Sequence, residues 1–349
     1  MAHWIINPSL DMPQVLEQYG RFLEDDYRML IESLRIPRTF DEYSEKTGRR
    51  FIIISGKERP GLIAKSVFLC LKLAGPESVA VYIPTLDEMF LVQNVFEHYA
   101  GNIKTKLFAT PLDFLSLDKN WRDEIENATD IIVYGDDESI NKWREYETVD
   151  RHIWEHGFNF SFGIARAEDL TPSLINEICF DFFCYYGEGR LAPKLYFIIG
   201  QYSPELIKTF AMNMVVNYSP FIELFREKLP LTRKSDLTRE VLNTEYYAKF
   251  VRVFDLQSDG LFDTMYGDVR LAFVDSISEI EEFIEKWRES IATVAADWDD
   301  DEVIDLLEDN MIPRICNYGD MQFPEFFEPF DVLDDFNIYV SDDQNNDLI

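Results

Sequence analysis

The chain has 349 residues, 46% of them hydrophobic and 15% aromatic, so it can bury a large core and is not a disordered protein. Its formal net charge of -32 opposes binding to nucleic-acid phosphates and to anionic lipid over most of the surface. The four cysteines have no CxxC spacing and no secretory signal precedes them, which predicts reduced thiols and a cytoplasmic protein.

Short β-rich runs alternate with helical patterns from Phe51 onward, and this alternation indicates a parallel sheet with crossover helices. The predicted strands are FIIIS at 51–55, SVAVYIP at 78–84, KTKLFAT at 104–110 and DIIVYGDD at 130–137, with helices at 60–73 and 86–98 between them. We therefore predict a Rossmann-like nucleotide-type domain at 51–166, preceded by an N-terminal helical segment at 1–50 whose helix covers 15–34. The longest apolar runs fall far short of the ~20 residues of a membrane helix, so no membrane span is expected.

A second α/β domain is predicted at 167–296. Its first helix begins after Thr171 as the N-cap, with Pro172 at the first helical position, and it ends at Gly187. The strand KLYFII follows, then a helix at 205–225, the strands VRVFDL and VRLAFV, and a helix at 278–296. The last 53 residues carry seventeen Asp and Glu against Arg314 alone, which predicts an acidic C-terminal arm at 297–349.

Four segments, taken in their order along the chain, resemble the motifs of one known family. DIIVYGDDESINKW looks like a glycine turn at a nicotinamide cofactor, and FNFSFGIA looks like the crossing into a catalytic domain. LINEICFDFFCYYGEGRLAPKLYF looks like a nucleophile helix with its aspartate at Asp181 and its glycine pair at Gly187 and Gly189. PRICNYGDMQFPEF is similar to an arginine, glycine and methionine pattern that closes the fold.

The chain thus resembles, from about Phe51 to Asp331, the acyl-CoA reductases of the aldehyde dehydrogenase superfamily, a group that includes the fatty acyl reductases of bacterial bioluminescence. The resemblance implies an aldehyde dehydrogenase-like α/β fold with a Rossmann-like cofactor domain. It also implies NADPH or NADH as the cofactor, and NADPH-dependent reduction of a long-chain fatty acyl-CoA to the aldehyde as the family reaction.

The reactive groups of that family are missing here. In the family a cysteine directly after the glycine pair attacks the thioester, because a thiolate is both a good nucleophile and a good leaving group. Here Gly189 is followed by Arg190, which stands at or beside that position. The asparagine of the family's first cofactor turn is absent from GKERPG, and the lysine of its second strand falls at about Val81. The sequence therefore predicts a non-catalytic relative.

Two interpretations of the corner remain open beside that prediction. Cys184 lies six positions before Arg190 and is the rescue candidate for the nucleophile of an active reductase. The simpler interpretation of Cys184 is a buried thiol on an apolar helix face. Arg190, in the vacated position, could instead bind a carboxylate or a phosphate of a ligand. Gly187 and Gly189 would form the turn whose N–H groups hold an oxyanion.

Two glycine turns are candidates for binding the cofactor phosphates, because each follows a predicted strand and opens a helix. The residues are Gly56, Lys57 and Arg59 in the first turn and Gly135, Asp137 and Ser139 in the second. The simpler interpretation of the first turn is a solvated turn. The simpler interpretation of the second is a capped turn, since the aspartates at 136 and 137 would repel a diphosphate.

One histidine-containing segment and one acidic segment resemble metal sites. HIWEH at 152–156 matches the H-x-x-E-H pattern that binds zinc from a helix, but Gly157 follows at once and leaves at most a helix end. WDDDE at 298–302 lacks the glycine and the final glutamate of a calcium loop. No metal is expected. The expected partners are a fatty acyl-CoA or nucleotide ligand and an active reductase or acyl-transfer enzyme, with a homodimer implied by the resemblance and no nucleic acid.

Overall fold

The fold is taken from a computed structural model of the chain. It describes residues 3–6, 50–54, 66–67, 70, 79–82, 105–109, 119–135, 137–183, 189–218, 251–254 and 268–324. The chain forms two compact units, the second of which covers Asn159–Pro324. The sequence predicts a start of the second domain at 167, and the four-part division of the chain remains a prediction.

The first unit contains, in its described residues, a six-stranded parallel sheet with strand order β1-β4-β3-β2-β5-β6. The strands are β1 (His3–Ile6), β2 (Phe51–Ile54), β3 (Val79–Tyr82), β4 (Thr105–Ala109), β5 (Asp130–Tyr134) and β6 (His152–His156). From β2 the chain continues through β3 and β4 toward one side of the sheet, and from β5 it continues to β6 on the other side. The switch point of this doubly wound sheet therefore lies between β2 and β5, where Ile54 is opposite Val133.

Helices α1 (Lys119–Asn127) and α2 (Asp137–Arg144) pack on one face of this sheet. Ile125 of α1 and Ile140 of α2 share a buried cluster with Ile131 and Val133 of β5. Strand β1, which pairs with β4, was not predicted from the sequence. The predicted helix at 15–34 lies outside the described residues.

The second unit contains another parallel sheet, with the strand order β12-β11-β7-β8-β10-β9 among its described residues. Its strands are β7 (Phe160–Arg166), β8 (Pro193–Ile199), β9 (Val251–Val253), β10 (Val269–Val274), β11 (Ile291–Ala295) and β12 (Ile315–Cys316). Its helices are α3 (Pro172–Phe183), α4 (Pro204–Asn213), which continues as a π-helical turn Met214–Tyr218, α5 (Ile277–Trp287) and α6 (Asp301–Asp309).

Alternation along the strands divides the core of the second unit between the two faces of its sheet. Tyr196 and Ile198 of β8 join a cluster with α3 and α4, whereas Leu195 and Phe197 join a cluster with α5 and α6. Helix α3 begins as predicted, because the Thr171 hydroxyl accepts a hydrogen bond from the Leu174 N–H at 3.3 Å. The predicted α/β fold with parallel sheets is confirmed.

The predicted helix at 278–296 is wrong beyond Trp287, where α5 ends. Residues Ile291–Ala295 form a strand that is buried on both faces, between β7 and β12. A short run buried on both faces has no alternation, so the pattern alone does not distinguish it from a buried helix. Part of the predicted acidic arm is also integral to the second unit, because α6 buries Val303 and Leu307 in its core.

None of the helices in the described part of the chain combines the length and the apolar character needed to cross a membrane.

Candidate functional site

The corner that enters β8 is a fixed, buried piece of main chain. Gly189 has a positive φ of 85°, a conformation that favours glycine. Arg190 is 3% exposed, and its carbonyl accepts a hydrogen bond of 2.7 Å from the Ser161 hydroxyl on β7. Leu191 and Ala192 are buried as well. A guanidinium group, and no thiol, therefore occupies position 190, while Gly187 and Cys184 lie outside the described residues.

Buried polar side chains surround this corner near the amino ends of the strands. Ser161 lies opposite Thr293 of β11 in the sheet register. The Arg314 guanidinium, just before β12, lies 3.5 Å from the Thr293 hydroxyl and is 3% exposed. Two buried arginines, Arg190 and Arg314, thus lie at the amino ends of strands in the second sheet.

A buried carboxyl group lies on α3, the helix that leads toward the corner. The Asp181 carboxyl accepts hydrogen bonds from the Tyr196 hydroxyl at 2.5 Å, from the Gly319 N–H at 2.9 Å and from the Met321 N–H at 3.1 Å. Removal from water favours the neutral acid, and the three donors favour the carboxylate. Burial dominates and raises the pKa of Asp181 to about 7.

The N–H groups of Gly319 and Met321 that bind Asp181 belong to residues 317–323, which we call the closing loop. Arg314 binds the opposite polar groups of this loop, since its guanidinium donates to the Met321 carbonyl at 2.8 Å and to the Asp320 carbonyl at 3.0 Å. Gly319 has a φ of 83°, which allows the loop to turn back onto α3 beside Glu177. The closing loop is therefore held between a buried carboxyl and a buried guanidinium.

A glycine in β7 makes room for the Tyr196 ring. Gly163 lies opposite Tyr196 in the register, and a Cβ added at Gly163 would stand only 2.0 Å from a ring carbon of Tyr196. Real Cβ atoms do not approach so closely, so position 163 must be glycine if the tyrosine is to reach Asp181 in this rotamer.

The structure brings together four residues that the sequence singled out through the resemblance, and it adds two that the sequence did not. Asp181, Arg314, Gly319 and Met321 meet at the closing loop. Tyr196 and Gly163 were missed as partners. A glycine inside a strand pattern, as in FNFSFGIA, was the available signal for a close approach at that point.

The predicted cofactor turn after β5 is joined to the end of β6 by a main-chain hydrogen bond. The Gly135 N–H donates to the carbonyl of His156, the last residue of β6, at 3.1 Å. This amide therefore already has a hydrogen-bond acceptor. Asp137 is exposed in the first turn of α2, and the Ser139 Cβ would lie 3.0 Å from a Cβ at Gly135. The turn lies at the carboxyl end of β5, beside the switch point. Gly56, Lys57 and Arg59 lie outside the described residues.

The histidines of HIWEH do not share a helical face, because this segment is strand β6. Four residues along a strand span about 13 Å, too far for two ligands of one ion. His152 is exposed, with its Nδ1 3.4 Å from the Glu147 carboxylate, while His156 is buried with its ring centroid 4.1 Å from that of Tyr134. No cluster of three metal-binding side chains occurs in the part of the chain that the structure describes.

The acidic segment at 298–302 has a structural role in the second unit. Asp300 is the N-cap of α6 and accepts a hydrogen bond of 3.4 Å from the Val303 N–H. Its carboxylate also binds the Arg166 guanidinium through two hydrogen bonds, of 2.6 and 3.0 Å. The hydrogen bonds from Arg166 lower the pKa of Asp300.

The thiols of the described residues are buried inside the two units. Cys70, Cys179 and Cys316 are free and at most 6% exposed. Burial raises the pKa of Cys70 and of Cys179 well above the ordinary thiol value. These two groups are therefore neutral thiols, which are poor nucleophiles.

No family model matches the sequence, and no curated protein matches it. Solved structures do match. A propionaldehyde dehydrogenase from Rhodopseudomonas palustris, with bound CoA and an acylated cysteine, is 10% identical, has a TM-score of 0.52 and covers 78% of this chain and 66% of its own. An engineered glycolyl-CoA reductase with bound NADP+ gives the same four values. An NAD-dependent benzaldehyde dehydrogenase from Corynebacterium glutamicum is 13% identical, has a TM-score of 0.50 and covers 79% of this chain and 66% of its own.

At these identities the likeness shows the fold alone. The chain has an aldehyde dehydrogenase-like fold, and its structural neighbours are members of that superfamily, acyl-CoA reductases among them. The chain spans less than two thirds of the length of the structures it matches.

Proposed function

We propose that this protein is a non-catalytic relative of the acyl-CoA reductases, of the fatty acyl reductase type, which binds an acyl-CoA or nucleotide ligand or a partner enzyme without reducing a thioester. The observation that carries the proposal is the corner at 189–193. The chain enters β8 through a buried turn whose main chain is anchored to Ser161. This buried turn supports the assignment of the segment as the family's nucleophile corner, with an arginine at position 190.

An arginine does not replace a catalytic cysteine. Its guanidinium remains protonated at any pH the fold tolerates, so it has no electron pair with which to attack a thioester. It does bind carboxylates and phosphates through a planar pair of donors. We propose that Arg190 contributes to holding an anionic group of the ligand, with the glycine turn at Gly187 and Gly189 beside it.

The nucleotide part of a ligand would bind at the switch point of the first sheet, where ligands of doubly wound folds bind. The residues proposed there are Gly56, Lys57 and Arg59 after β2, and Gly135, Asp137 and Ser139 after β5. NADPH or NADH is the proposed cofactor. Two structural neighbours support nicotinamide binding by this fold, since one holds NADP+ and the other is NAD-dependent.

The second candidate function is an active acyl-CoA reductase with Cys184 as its nucleophile. It is favoured by one observation: the other three cysteines are buried in the described structure, so any covalent chemistry falls to Cys184. For the non-catalytic relative, we propose an active reductase or an acyl-transfer enzyme as the partner. We also propose that the protein is a homodimer and lies in the cytoplasm.

Binding and turnover measured on the same sample separate the two functions. Titration calorimetry with NADPH, with NADH and with a long-chain acyl-CoA is expected to show binding of at least one of them, and the absorbance of NADPH is expected to stay constant in the mixture. Arg190→Ala should weaken acyl-CoA binding, whereas the exposed Arg288→Ala should not. Steady loss of NADPH that disappears in Cys184→Ala would overturn the non-catalytic proposal in favour of the second candidate.

A further inference from the structure

The strongest feature outside the ligand sites is the way in which the closing loop at 317–323 is attached to α3. A single peptide group links two buried side chains of opposite charge type. The carbonyl of Asp320 accepts from Arg314 at 3.0 Å, and the N–H of the same peptide group, at Met321, donates to Asp181 at 3.1 Å. Hydrogen bonds that follow one another in a series polarise one another. The protonation state of Asp181 therefore affects how strongly the whole closing loop is bound.

We propose that the closing loop is a latch over α3 which closes with uptake of a proton by Asp181 and loosens as the pH rises. Closing the loop takes the Asp181 carboxyl out of water entirely, since its residue is 0% exposed. At this site the burial of Asp181 outweighs the three hydrogen bonds that favour the carboxylate and raises the pKa of the carboxyl, so the closed loop favours the neutral acid. The inference goes beyond the proposed function and does not depend on it.

The neighbouring groups allow both protonation states to keep the hydrogen bonds satisfied. When Asp181 is ionised, the Tyr196 hydroxyl donates to it at 2.5 Å. When Asp181 is neutral, its own hydroxyl donates to Tyr196, and the Tyr196 proton turns to the Met321 sulfur, 3.6 Å away. The protonation of Asp181 thus decides whether the Tyr196 hydroxyl donates to Asp181 on α3 or to Met321 in the closing loop.

The titratable groups that act on Asp181 are Tyr196 from β8, Asp320 from the closing loop and Cys179 from α3. Cys316 and Tyr318 act on Tyr196, and Arg314, just before β12, binds the Asp320 carbonyl. Asp320 adds to the rise in the pKa of Asp181, while the hydrogen bonds from Tyr196, Gly319 and Met321 oppose it. Glu177 lies beside Gly319 but is exposed.

The sign of the pH dependence follows from linkage. Asp181 titrates near 7 when the loop is closed, and near the ordinary aspartate value of about 4 when it is open to water. Between these two values the closed state holds one proton more than the open state, so closing weakens as the pH rises. The ratio of closed to open loop should fall by up to about tenfold per pH unit between about pH 4 and about pH 7, and stay level above that.

Hydrogen exchange of the full-length protein, read by mass spectrometry, tests this. After correction for the intrinsic chemical exchange rate, the protection of the Gly319 and Met321 amides should fall about tenfold from about pH 5.5 to about pH 6.5, while amides of β8 in the same protein should not follow that step. Asp181→Asn should abolish the step, and the exposed Glu177→Gln should retain it.

Two further readouts cover the case in which Asp181→Asn fails to fold. Tyr196→Phe removes a donor that favours the ionised carboxyl, so the step should move to higher pH. The carboxyl carbon resonance of Asp181 in the wild-type protein should titrate close to neutral pH. Protection that is independent of pH in the wild type, an unchanged step in Asp181→Asn, or titration of Asp181 near the ordinary aspartate value would each overturn the latch.

Discussion

Asp181 and Arg314 hold Met321 from opposite sides, the carboxyl through the Met321 N–H at 3.1 Å and the guanidinium through the Met321 carbonyl at 2.8 Å. Both residues are buried, Asp181 with 0% and Arg314 with 3% of its surface exposed. Buried polar groups of this kind stabilise a fold only while every partner is in place. The closing loop is therefore expected to be sensitive to single substitutions of either partner.

Replacing Arg314 by lysine should destabilise the second unit. A lysine keeps the charge but loses the planar fork that reaches the two loop carbonyls and Thr293, so at least one buried acceptor is left unsatisfied. We expect a loss of about 2–3 kcal/mol in the free energy of unfolding, measured by urea denaturation. The exposed Arg288→Lys is the matched control and should change it by less than about 0.5 kcal/mol. Equal effects of the two substitutions would contradict the role given to Arg314.

Adding one methyl group at Gly163 should be as costly as losing a buried hydrogen bond. The new Cβ would overlap the Tyr196 ring at 2.0 Å, so the ring must move and its hydroxyl leaves Asp181. We expect Gly163→Ala to cost about 2–4 kcal/mol in a thermal or urea unfolding experiment. Gly157→Ala, whose Cβ would meet its nearest neighbour at an ordinary 3.4 Å, serves as the control. A Gly163→Ala protein of wild-type stability would show that the tyrosine has room that the structure does not show.

The pair between Arg166 and Asp300 should stabilise the second unit in a pH-dependent way. Asparagine at position 300 retains the N-cap of α6 but removes the charge, so Asp300→Asn should cost about 1–2 kcal/mol at neutral pH. The pKa of Asp300 is lowered by Arg166, so this stabilisation is present above the ordinary aspartate pKa of about 4 and is lost as the pH falls through the lower folded value.

The Asp300→Asn difference should accordingly shrink in acid and in high salt, when unfolding is followed over a pH series. Glu302→Gln is the control, because Glu302 binds the same arginine at 2.7 Å but its side chain is 61% exposed. It should cost less than about 0.5 kcal/mol. A larger loss from Glu302→Gln than from Asp300→Asn would reverse the assignment of the partner.

The three described cysteines should resist alkylation in the native protein. Cys70, Cys179 and Cys316 are buried, and the raised pKa values of Cys70 and Cys179 keep those thiols protonated. Iodoacetamide at about pH 8 should therefore leave them unmodified for hours and modify all three once the protein is unfolded in urea, as read by peptide mass spectrometry. Rapid native labelling of Cys179 would mean that α3 opens far more readily than the packed core allows.

The sequence predicted most of the sheet framework because its strands are separate, β-rich runs bounded by turn residues. The same patterns could not separate β11 from a helix, since Ile291–Ala295 is buried on both faces and has no alternation. Strand β12, with only Ile315–Cys316, is too short to carry any period. HIWEH matched a helical motif by its letters, yet β-sheet pairing with β5 decided its conformation.

Four of the six residues at the closing-loop site could be predicted and two could not. Asp181, Arg314, Gly319 and Met321 were identified because their segments resemble a family pattern in the right order. Tyr196 was not, because strand alternation predicts which residues face a core and not which polar atom they meet there. The link between Asp181 and Arg314 passes through a main-chain peptide group, and side-chain patterns contain no information about such a bridge.

The most direct test of the non-catalytic proposal is the intact mass of the protein after incubation with a long-chain acyl-CoA, with and without NADPH. We predict no acyl adduct on any cysteine, because position 190 has no thiol and the thiols at 70, 179 and 316 are buried. A thioester adduct on Cys184 that forms with acyl-CoA and disappears when NADPH is added would contradict the proposal and identify a working reductase.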